Sequence, residues 1–546
     1  MIRLYLFILL PMLLATVMYL FPNKHIKRIA ILFQAGLLVC AIVNFLYVKQ
    51  YETVFERLGG WDGYVGISLR ADALSSVMLM LTAVLFLVML IFNYSKDYVN
   101  NLFLFLFLVL QALMMGIFLS NDLFNIYVLM EVSTIIVSIL IMFKKDSQSI
   151  YDGMIYLFVN IVGMAFFLFG IGFIYKIFGV LDFNGIKEKM HLIEHSKTLI
   201  IPYALMITAV GLKSALMPLF SWLPKAHATP SAPSIVSAIL SGLYVKTGIY
   251  LFIRVQEMYI GRIDMSEYFM VMGFLTGVIG FILALSQTDI KLILAYHTIS
   301  QIGLIMIGLN YPDTNAYWGA VYHIISHAFV KSTLFLTAGI IIEEYKTRNI
   351  WEIKGVFKRL PIVATSSILA ILGITGAPFF NGSISKYLIE SGIKGNMLEY
   401  GVLLINLGTI IYFMKYLSMF WGKWEGPKAR VDKYRRVIII ILGLLCFIGG
   451  LYGQGLINYL FNQDVVIDLP SYMQKIIVYL ASLVVGVIIY KRIVLKSQIL
   501  YKVQELKVGF NNVCLLITIF FSVTLLYLVM KYMLLEPAVA SVARFF

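Results

Sequence analysis

The sequence predicts an all-α, polytopic membrane protein, and three observations carry that prediction. Of 546 residues, 61% are hydrophobic and only 13% charged, with 39 Phe, 34 Tyr and 26 Met, too few polar side chains to coat a water-soluble fold of this size. Apolar runs of roughly 18–25 residues recur about sixteen times, each long enough at about 1.5 Å per residue to cross a hydrocarbon layer about 30 Å thick. Basic residues gather in alternate connections between those runs, as membrane topology requires.

The first run, residues 2–21, can span, lacks a small-residue cleavage pattern and is followed at once by another run, so it is read as a retained helix. Uninterrupted runs follow at 27–48, 73–93, 100–119, 122–142 and 150–178. The seventh, 199–220, holds Gly211 and Pro218 next to Lys213 and should be broken, because proline removes a backbone donor and clashes one turn back. Runs at 232–255, 268–287, 290–309 and 316–342 are continuous. The twelfth, 360–391, repeats the interruption with Gly373, Gly376, Pro378 and Gly382 ahead of Lys386. Runs at 396–421, 435–459, 473–495 and 509–532 complete the series. Residues 491–507 alternate apolar with charged positions, which suits an amphipathic stretch on the cytoplasmic surface. The polar connections are too short to form a separate aqueous domain.

The net charge of +15 reports topology rather than nucleic-acid binding. If the connection with Lys24, Lys27 and Arg28 is cytoplasmic, alternate connections place roughly 24 Lys and Arg on that side against roughly 8 on the other, with both termini outside. Cys40, Cys446 and Cys514 lie far apart, each within an apolar run, and suggest neither a disulfide framework nor a metal site.

Ionisable residues at bilayer depth carry the functional signal: Glu131, Lys213, Lys246, His323, His327, Lys331 and Lys386. Each costs roughly 2.5–3.5 kcal/mol even on lenient insertion scales, and such residues commonly mark ion or proton pathways. The two broken spans carry one lysine each. Interrupted helices in corresponding positions point to inverted repeats around an ion pathway; two prolines kinking packed helices are the plainer alternative, and the break pattern alone leaves both open. His323, His327 and Lys331 fall at i, i+4 and i+8, one face of one helix with turns about 5.4 Å apart, suited to a relay. A metal site or a structural hydrogen-bond stack is the other reading of that spacing, but no Glu lies between the histidines and no Cys joins them. His227, near the end of the seventh span, is a candidate proton entry or a helix-end cap; Lys415 is a relay residue or a snorkelling side chain; Asp289 and Lys291 read as structural anchors. The two prolines Pro230 and Pro233 after His227 put the entry geometry in question.

An ordered set of motifs then identifies a family. It comprises Gly59-Gly60-Trp61 with Gly66-Ile67 and Ala71-Asp72-Ala73-Leu74-Ser75; Asn121-Asp122 leading to Glu131; Leu212-Lys213 through Trp222 to His227; Ser241-Gly242 through Lys246; Asp289 and Lys291 through Ala295-Tyr296 to Ser300-Gln301-Ile302-Gly303; His323, His327 and Lys331; and Phe380-Asn381-Gly382 to Ser385-Lys386. Over roughly residues 55–425 the chain resembles the antiporter-like subunits shared by respiratory complex I, Mrp-type multisubunit Na+/H+ antiporters and membrane-bound hydrogenases. Its segment 59–67 is similar to the Mrp D type and its hydrogenase relatives more than to complex I.

The resemblance implies about fourteen core helices holding two inverted five-helix repeats with broken helices 7 and 12, and about two further C-terminal helices. It divides the chain into N-terminal helices 1–3 (1–99), a first repeat of helices 4–8 (100–255), a second of helices 9–13 (268–422), and a C-terminal part (423–546). It further implies that Glu131 is the buried glutamate of helix 5, Lys213 its partner in helix 7 and Lys246 the connecting lysine of helix 8. His327 and Lys331 resemble the central relay of helix 11, and Lys386 the terminal lysine of helix 12, where some complex I members carry glutamate. In physical terms, moving Glu131 toward or away from Lys213 biases whether Lys213 keeps its proton.

The leading expectation is a proton-translocating subunit of a multisubunit complex, driven by a redox module on other chains; the alternative is the D-type subunit of a Mrp-type Na+/H+ antiporter. No Gly-rich phosphate loop, Cys cluster or nucleophile constellation is present, so no cofactor is expected in this chain, with Fe-S or flavin groups left to partner subunits. The expected partners are H+, Na+ in the antiporter reading, other membrane subunits, a peripheral redox module in the leading reading, and lipid. The expected location is the cytoplasmic membrane of a prokaryote.

Overall fold

Aspartate and asparagine N-caps start many of the helices, because their side-chain oxygens satisfy backbone N–H groups that the first turn leaves free. The computed structural model describes residues 2–61, 65–193, 196–228, 232–504 and 509–535. Each of the sixteen expected spans is occupied by a helix or a broken pair of helices.

Helices α1 (Leu6–Leu20) and α2 (Ile26–Tyr51) lead into an antiparallel hairpin of β1 (Val54–Arg57) and β2 (Ser68–Ala71). The sequence reading treated that hairpin only as a motif-bearing connection, and residues 62–64 of the motif lie outside the described residues. Helices α3 (Ala73–Phe92), α4 (Asn101–Leu119), α5 (Leu123–Ile141) and α6 (Ser147–Phe178) follow, capped by Asp72, Asn100, Asp122 and Asp146. Gln34 of α2 and Gln111 of α4 exchange amide hydrogen bonds inside the bundle, the polar pairing by which membrane helices hold register. The short α7 (Phe183–Met190) crosses no membrane and was not foreseen; eight residues are too few for a periodic signal.

The seventh span is broken. Helix α8 (Ile200–Lys213) stops at the lysine, and α9 (Trp222–Ala228) resumes beyond an irregular stretch that ends in a 3-10 turn at Leu219–Ser221. The Trp222 Nε1–H donates to the Leu212 carbonyl at 2.7 Å and the Met217 N–H to Thr276 Oγ1 at 3.0 Å, so protein groups satisfy backbone atoms that lipid would leave bare. The eighth span is α10 (Ser234–Ile239) and α11 (Val245–Tyr259), joined by a π-turn at Leu240–Tyr244.

Helices α12 (Ser266–Ser286), α13 (Ile290–Asn310) and α14 (Thr314–Tyr345) form the centre of the second half. After the single turn α15 (Val356–Arg359), the twelfth span breaks into α16 (Pro361–Thr375) and α17 (Asn381–Ile393). The halves of this span meet so closely that a Cβ on Gly382 would overlap the Gly373 carbonyl oxygen. Only glycine fits there.

Helix α18 (Leu398–Leu417) ends the family-like region. The fourteenth span divides at Tyr452 into α19 (Lys433–Leu451) and α20 (Gly453–Phe461), then come α21 (Leu469–Arg492), α22 (Gln498–Gln504) and α23 (Phe510–Val529). The expected amphipathic stretch is represented by α22, whose Gln504 Nε2 donates to Thr288 Oγ1 at 3.2 Å; residues 505–507 of that stretch lie outside the described residues. Among the described residues, thirteen helices are long and apolar enough to cross a membrane, with α1 and α16 as shorter apolar helices. The chain is a multi-pass membrane protein.

Two matching devices mark the halves. A β-bridge ties the start of α5 to the segment after α6, through Leu123 N–H to the Leu181 carbonyl and Phe183 N–H to the Asn121 carbonyl. Its counterpart ties the start of α13 to the segment after α14, through Ile290 N–H to the Arg348 carbonyl and Ile350 N–H to the Thr288 carbonyl. Both bridges stand two spans before a broken one. Arg254 of α11 pairs with Asp72 at 2.7 Å and with the partly exposed Glu257 at 3.0 Å, and the buried Arg254–Asp72 pair locks the N-terminal helices to the first half; removing one partner of such a buried pair costs about 3–5 kcal/mol.

Candidate functional site

The charge-bearing side chains picked out from sequence turn inward from separate helices and fall into four small clusters. The first is at the end of α8. Lys213, 3% exposed, stops the helix and aims its Nζ at Thr134 Oγ1 of α5, 2.6 Å away. Thr134 sits one turn from Glu131 on the same face, yet Glu131 Oε1 is enclosed without a hydrogen-bond partner among the described residues, and Lys213 bonds to the threonine instead of the acid. The acid and the amine make no salt bridge. Tyr244, in the π-turn, reaches Thr134 Oγ1 at 3.2 Å and Ser133 Oγ at 3.1 Å, connecting this cluster to the helix of Lys246.

The second cluster joins the two halves. Lys246 is fully buried, donates to the Ser241 carbonyl of its own π-turn, and places Nζ 2.7 Å from His327 Nδ1 on α14. With the lysine charged, Nδ1 accepts; with the lysine neutral, a protonated Nδ1 donates to it. One geometry therefore holds either protonation state.

The third cluster lies one turn further along α14. Lys331 donates to the Leu294 carbonyl at 2.6 Å, and its Nζ is 2.7 Å from Nδ1 of His297 on α13. His297 of α13 thereby joins His323, His327 and Lys331, the three residues expected to share one face of α14. The His297 ring stands 6.0 Å from His327, and His323 stands 6.2 Å from His327. The fourth cluster is His323, bonded through Nδ1 to Ser385 Oγ at 2.8 Å and through Nε2 to Gln301 Oε1 at 3.1 Å. Ser385 precedes Lys386 on α17; Lys386 is 1% exposed, and its Nζ has no hydrogen-bond partner among the described residues.

His227 is fully buried at the end of α9, stacked on Phe335 at 4.7 Å with neither ring nitrogen partnered among the described residues. Phe335 also faces Lys331, whose Nζ is 5.8 Å from its ring centre, so one phenyl ring separates the candidate entry histidine from the third cluster. Of the two prolines after His227, Pro230 lies outside the described residues. Lys415 donates to the Leu285 and Gln287 carbonyls at 2.6 Å each, binding the C-terminal end of α12 as cations favour rather than snorkelling. Asp289 caps α13 and pairs with Arg348 at 2.7 Å, while Lys291 donates to the Ala232 carbonyl at 2.8 Å; both geometries are those of anchors.

Sequence reasoning passed over His297, Glu390 and Lys475. His297 is a further ionisable residue inside an apolar run, so the signal was present; Glu390 lies one turn beyond Lys386, and Lys475 near the start of a span, where a lysine looks interfacial. Glu390 pairs with Lys475 of α21 at 2.9 Å and accepts from Asn406 Nδ2 at 2.6 Å.

Packing sets the position of Lys213. Gly248 of α11 lies so close that a Cβ there would sit 2.5 Å from the Lys213 carbonyl carbon. Gly248→Ala is expected to displace the end of α8 and reduce ion transport by about tenfold or more, since misplacement of a reacting group by about 1 Å can cost as much as 100-fold. Transport by inside-out vesicles, normalised to the amount of chain in the membrane, checks this.

Residues 120–411, more than half of the chain, match the family described as NADH:quinone oxidoreductase/Mrp antiporter, transmembrane. A putative antiporter subunit mnhD2 of Staphylococcus haemolyticus is 30% identical over 452 residues, covering 80% of this chain and 89% of the relative. The D subunit of the Na+/H+ antiporter of Alkalihalophilus pseudofirmus is 28% identical over 484 residues, covering 86% and 98%. In fold, the chain is similar to one in the Mrp complex from a Dietzia species (TM-score 0.78, 22% identity, 87% and 99% covered) and to one in the membrane-bound sulfane sulfur reductase, an archaeal respiratory membrane complex (TM-score 0.78, 24% identity, 89% and 99% covered).

Proposed function

Because the chain belongs to the NADH:quinone oxidoreductase/Mrp antiporter transmembrane family, we propose that it is the D-type, proton-conducting subunit of a multisubunit Na+/H+ antiporter in a prokaryotic cell membrane. This reverses the order of the two readings drawn from sequence. The relatives named above are antiporter subunits, and the fold shared with the archaeal reductase carries no argument for a redox module. Other membrane subunits are its partners, and the excess of basic connections on one side favours both termini outside.

The observation that carries the reading is the line of buried bases from Lys213 through Lys246 with His327 and Lys331 with His297 to His323 and Lys386. Between clusters the gaps need an intervening water, which conducts protons without a direct side-chain bond. Glu131 sets the protonation of Lys213 at one end, and Lys246 hands protons from the first half to the second. The two halves, residues 100–255 and 268–422, act as inverted repeats, a reading that the matched β-bridges and matched broken helices support.

The test uses the whole complex in inside-out vesicles carrying a proton gradient. Added Na+ is expected to dissipate that gradient with no electron donor present, whereas choline is not. A gradient that responds only to a reduced electron donor would instead favour the redox-driven reading.

A further inference from the structure

Helix α21 lies beyond the family match, which ends at residue 411, and most of its surface faces outward: Met473, Ile477, Leu480 and Val484 are all exposed. Its inward face combines apolar Ile476 and Leu483 with a polar stripe. Tyr472, Lys475, Tyr479 and Ser482 recur at i, i+3, i+7 and i+10, the spacing of one helical face. An apolar helix that turns a polar stripe inward is packing against polar chemistry rather than merely thickening the bundle.

That stripe covers the break in the twelfth span. Tyr472 OH is 2.9 Å from Ser383 Oγ, and Tyr479 OH is 3.2 Å from Thr375 Oγ1. Between them Lys475 pairs with Glu390 at 2.9 Å. Lys386, Glu390, Asn406, Lys475 and Tyr479 line one cavity of about 30 Å³, room for a water molecule. Glu390 stands four residues beyond Lys386, on the same face of α17. By contrast, α23 lies against the first broken helix with the apolar Phe520, next to Gly211, while its Thr524 hydroxyl bonds Tyr268 of α12.

We propose that Lys475 of the C-terminal extension is a positioning residue that holds Glu390 as the terminal proton acceptor for Lys386. The Lys386 ammonium gives one proton to the Glu390 carboxylate, leaving a neutral amine and a neutral acid. Glu390 then releases that proton to water in the cavity and returns to its ion pair with Lys475, while Lys386 is recharged along the His323 and Ser385 arm. Glu390 and Lys386 thus form an acid–amine pair at the far end, as Glu131 and Lys213 do at the near end. The inference rests on the proton-relay reading above.

The test compares Lys475→Met, Lys475→Arg, Glu390→Gln and the Lys475→Met/Glu390→Gln double variant in the assembled complex, with vesicle transport normalised to complex abundance. Lys475→Met and Glu390→Gln are each expected to lower transport by about tenfold, the double variant no further than the worse single one, and Lys475→Arg to retain at least half. Full transport by Lys475→Met overturns the inference; so does an equal loss in Lys475→Arg, which would make the role one of packing. Should Lys475→Met fail to reach the membrane, wild-type transport by Glu390→Gln overturns it equally. Glu131→Gln serves as the separate control: unchanged transport there would sink the relay reading itself, whatever Lys475 does.

Discussion

Lys213→Ala and Glu131→Ala are each expected to reduce ion exchange in membrane vesicles to the background level while the complex still assembles. The lysine ends α8 where it reaches across to α5, through Thr134. On the relay reading proposed above, its removal strips the near end of the amine that takes up and releases protons, and the threonine left behind cannot titrate in its place. Glu131 contributes charge without a bond: its enclosed oxygen has no hydrogen-bond partner among the described residues, so its carboxylate acts on Lys213 through space and a small movement changes that influence strongly. Assembly is expected to survive because neither side chain makes a salt bridge among the described residues, Lys213 bonding only a threonine hydroxyl, so truncation leaves no ion-pair partner stranded. Transport near the wild-type rate in either variant, at equal abundance of the chain, would refute the assignment.

His297→Ala is expected to lower transport by roughly 100-fold, the lower part of the range that a positioned proton-transfer side chain supplies. Its Nδ1 is 2.7 Å from Lys331 and its ring 6.0 Å from His327, so it connects two clusters that α14 alone leaves one turn apart. His297→Gln, which keeps a hydrogen-bonding group for Lys331 but cannot titrate, should lose as much transport as the alanine variant. Recovery of transport in the glutamine variant would show that the site needs only a hydrogen-bond partner. The measurement is the same vesicle exchange assay across a pH series.

Much of this molecule was legible from its residues. Glu131, Lys213, Lys246 and Lys386 stand out because a charge inside an apolar run is costly wherever the helix turns out to face. The breaks at Pro218 and at Gly382 were visible because proline and glycine act on the backbone locally. The ladder through His323, His327 and Lys331 was legible only in part, because its cross-helix partners, His297 among them, were not. Periodicity shows which residues share a face, but the partners of that face come from α11, α13 and α17, and nothing in α14 encodes their distance. The hairpin at Val54–Arg57 and Ser68–Ala71 and the short α7 escaped notice because four to eight residues carry too little pattern.

The amino-acid order by itself determined a many-spanning helical protein, the positions of its spans and the set of amines, imidazoles and acid placed within them, since hydrophobicity and helix-breaking are properties of short segments. Tertiary structure alone decided that Lys246 meets His327, that Lys331 meets His297 rather than the next histidine on its own helix, and that Lys475 reaches Glu390 from a helix outside the family's core. Those pairings depend on the rotation and approach of helices distant in the chain, and a direct or water-bridged contact forms only where that approach is right to within an ångström or so.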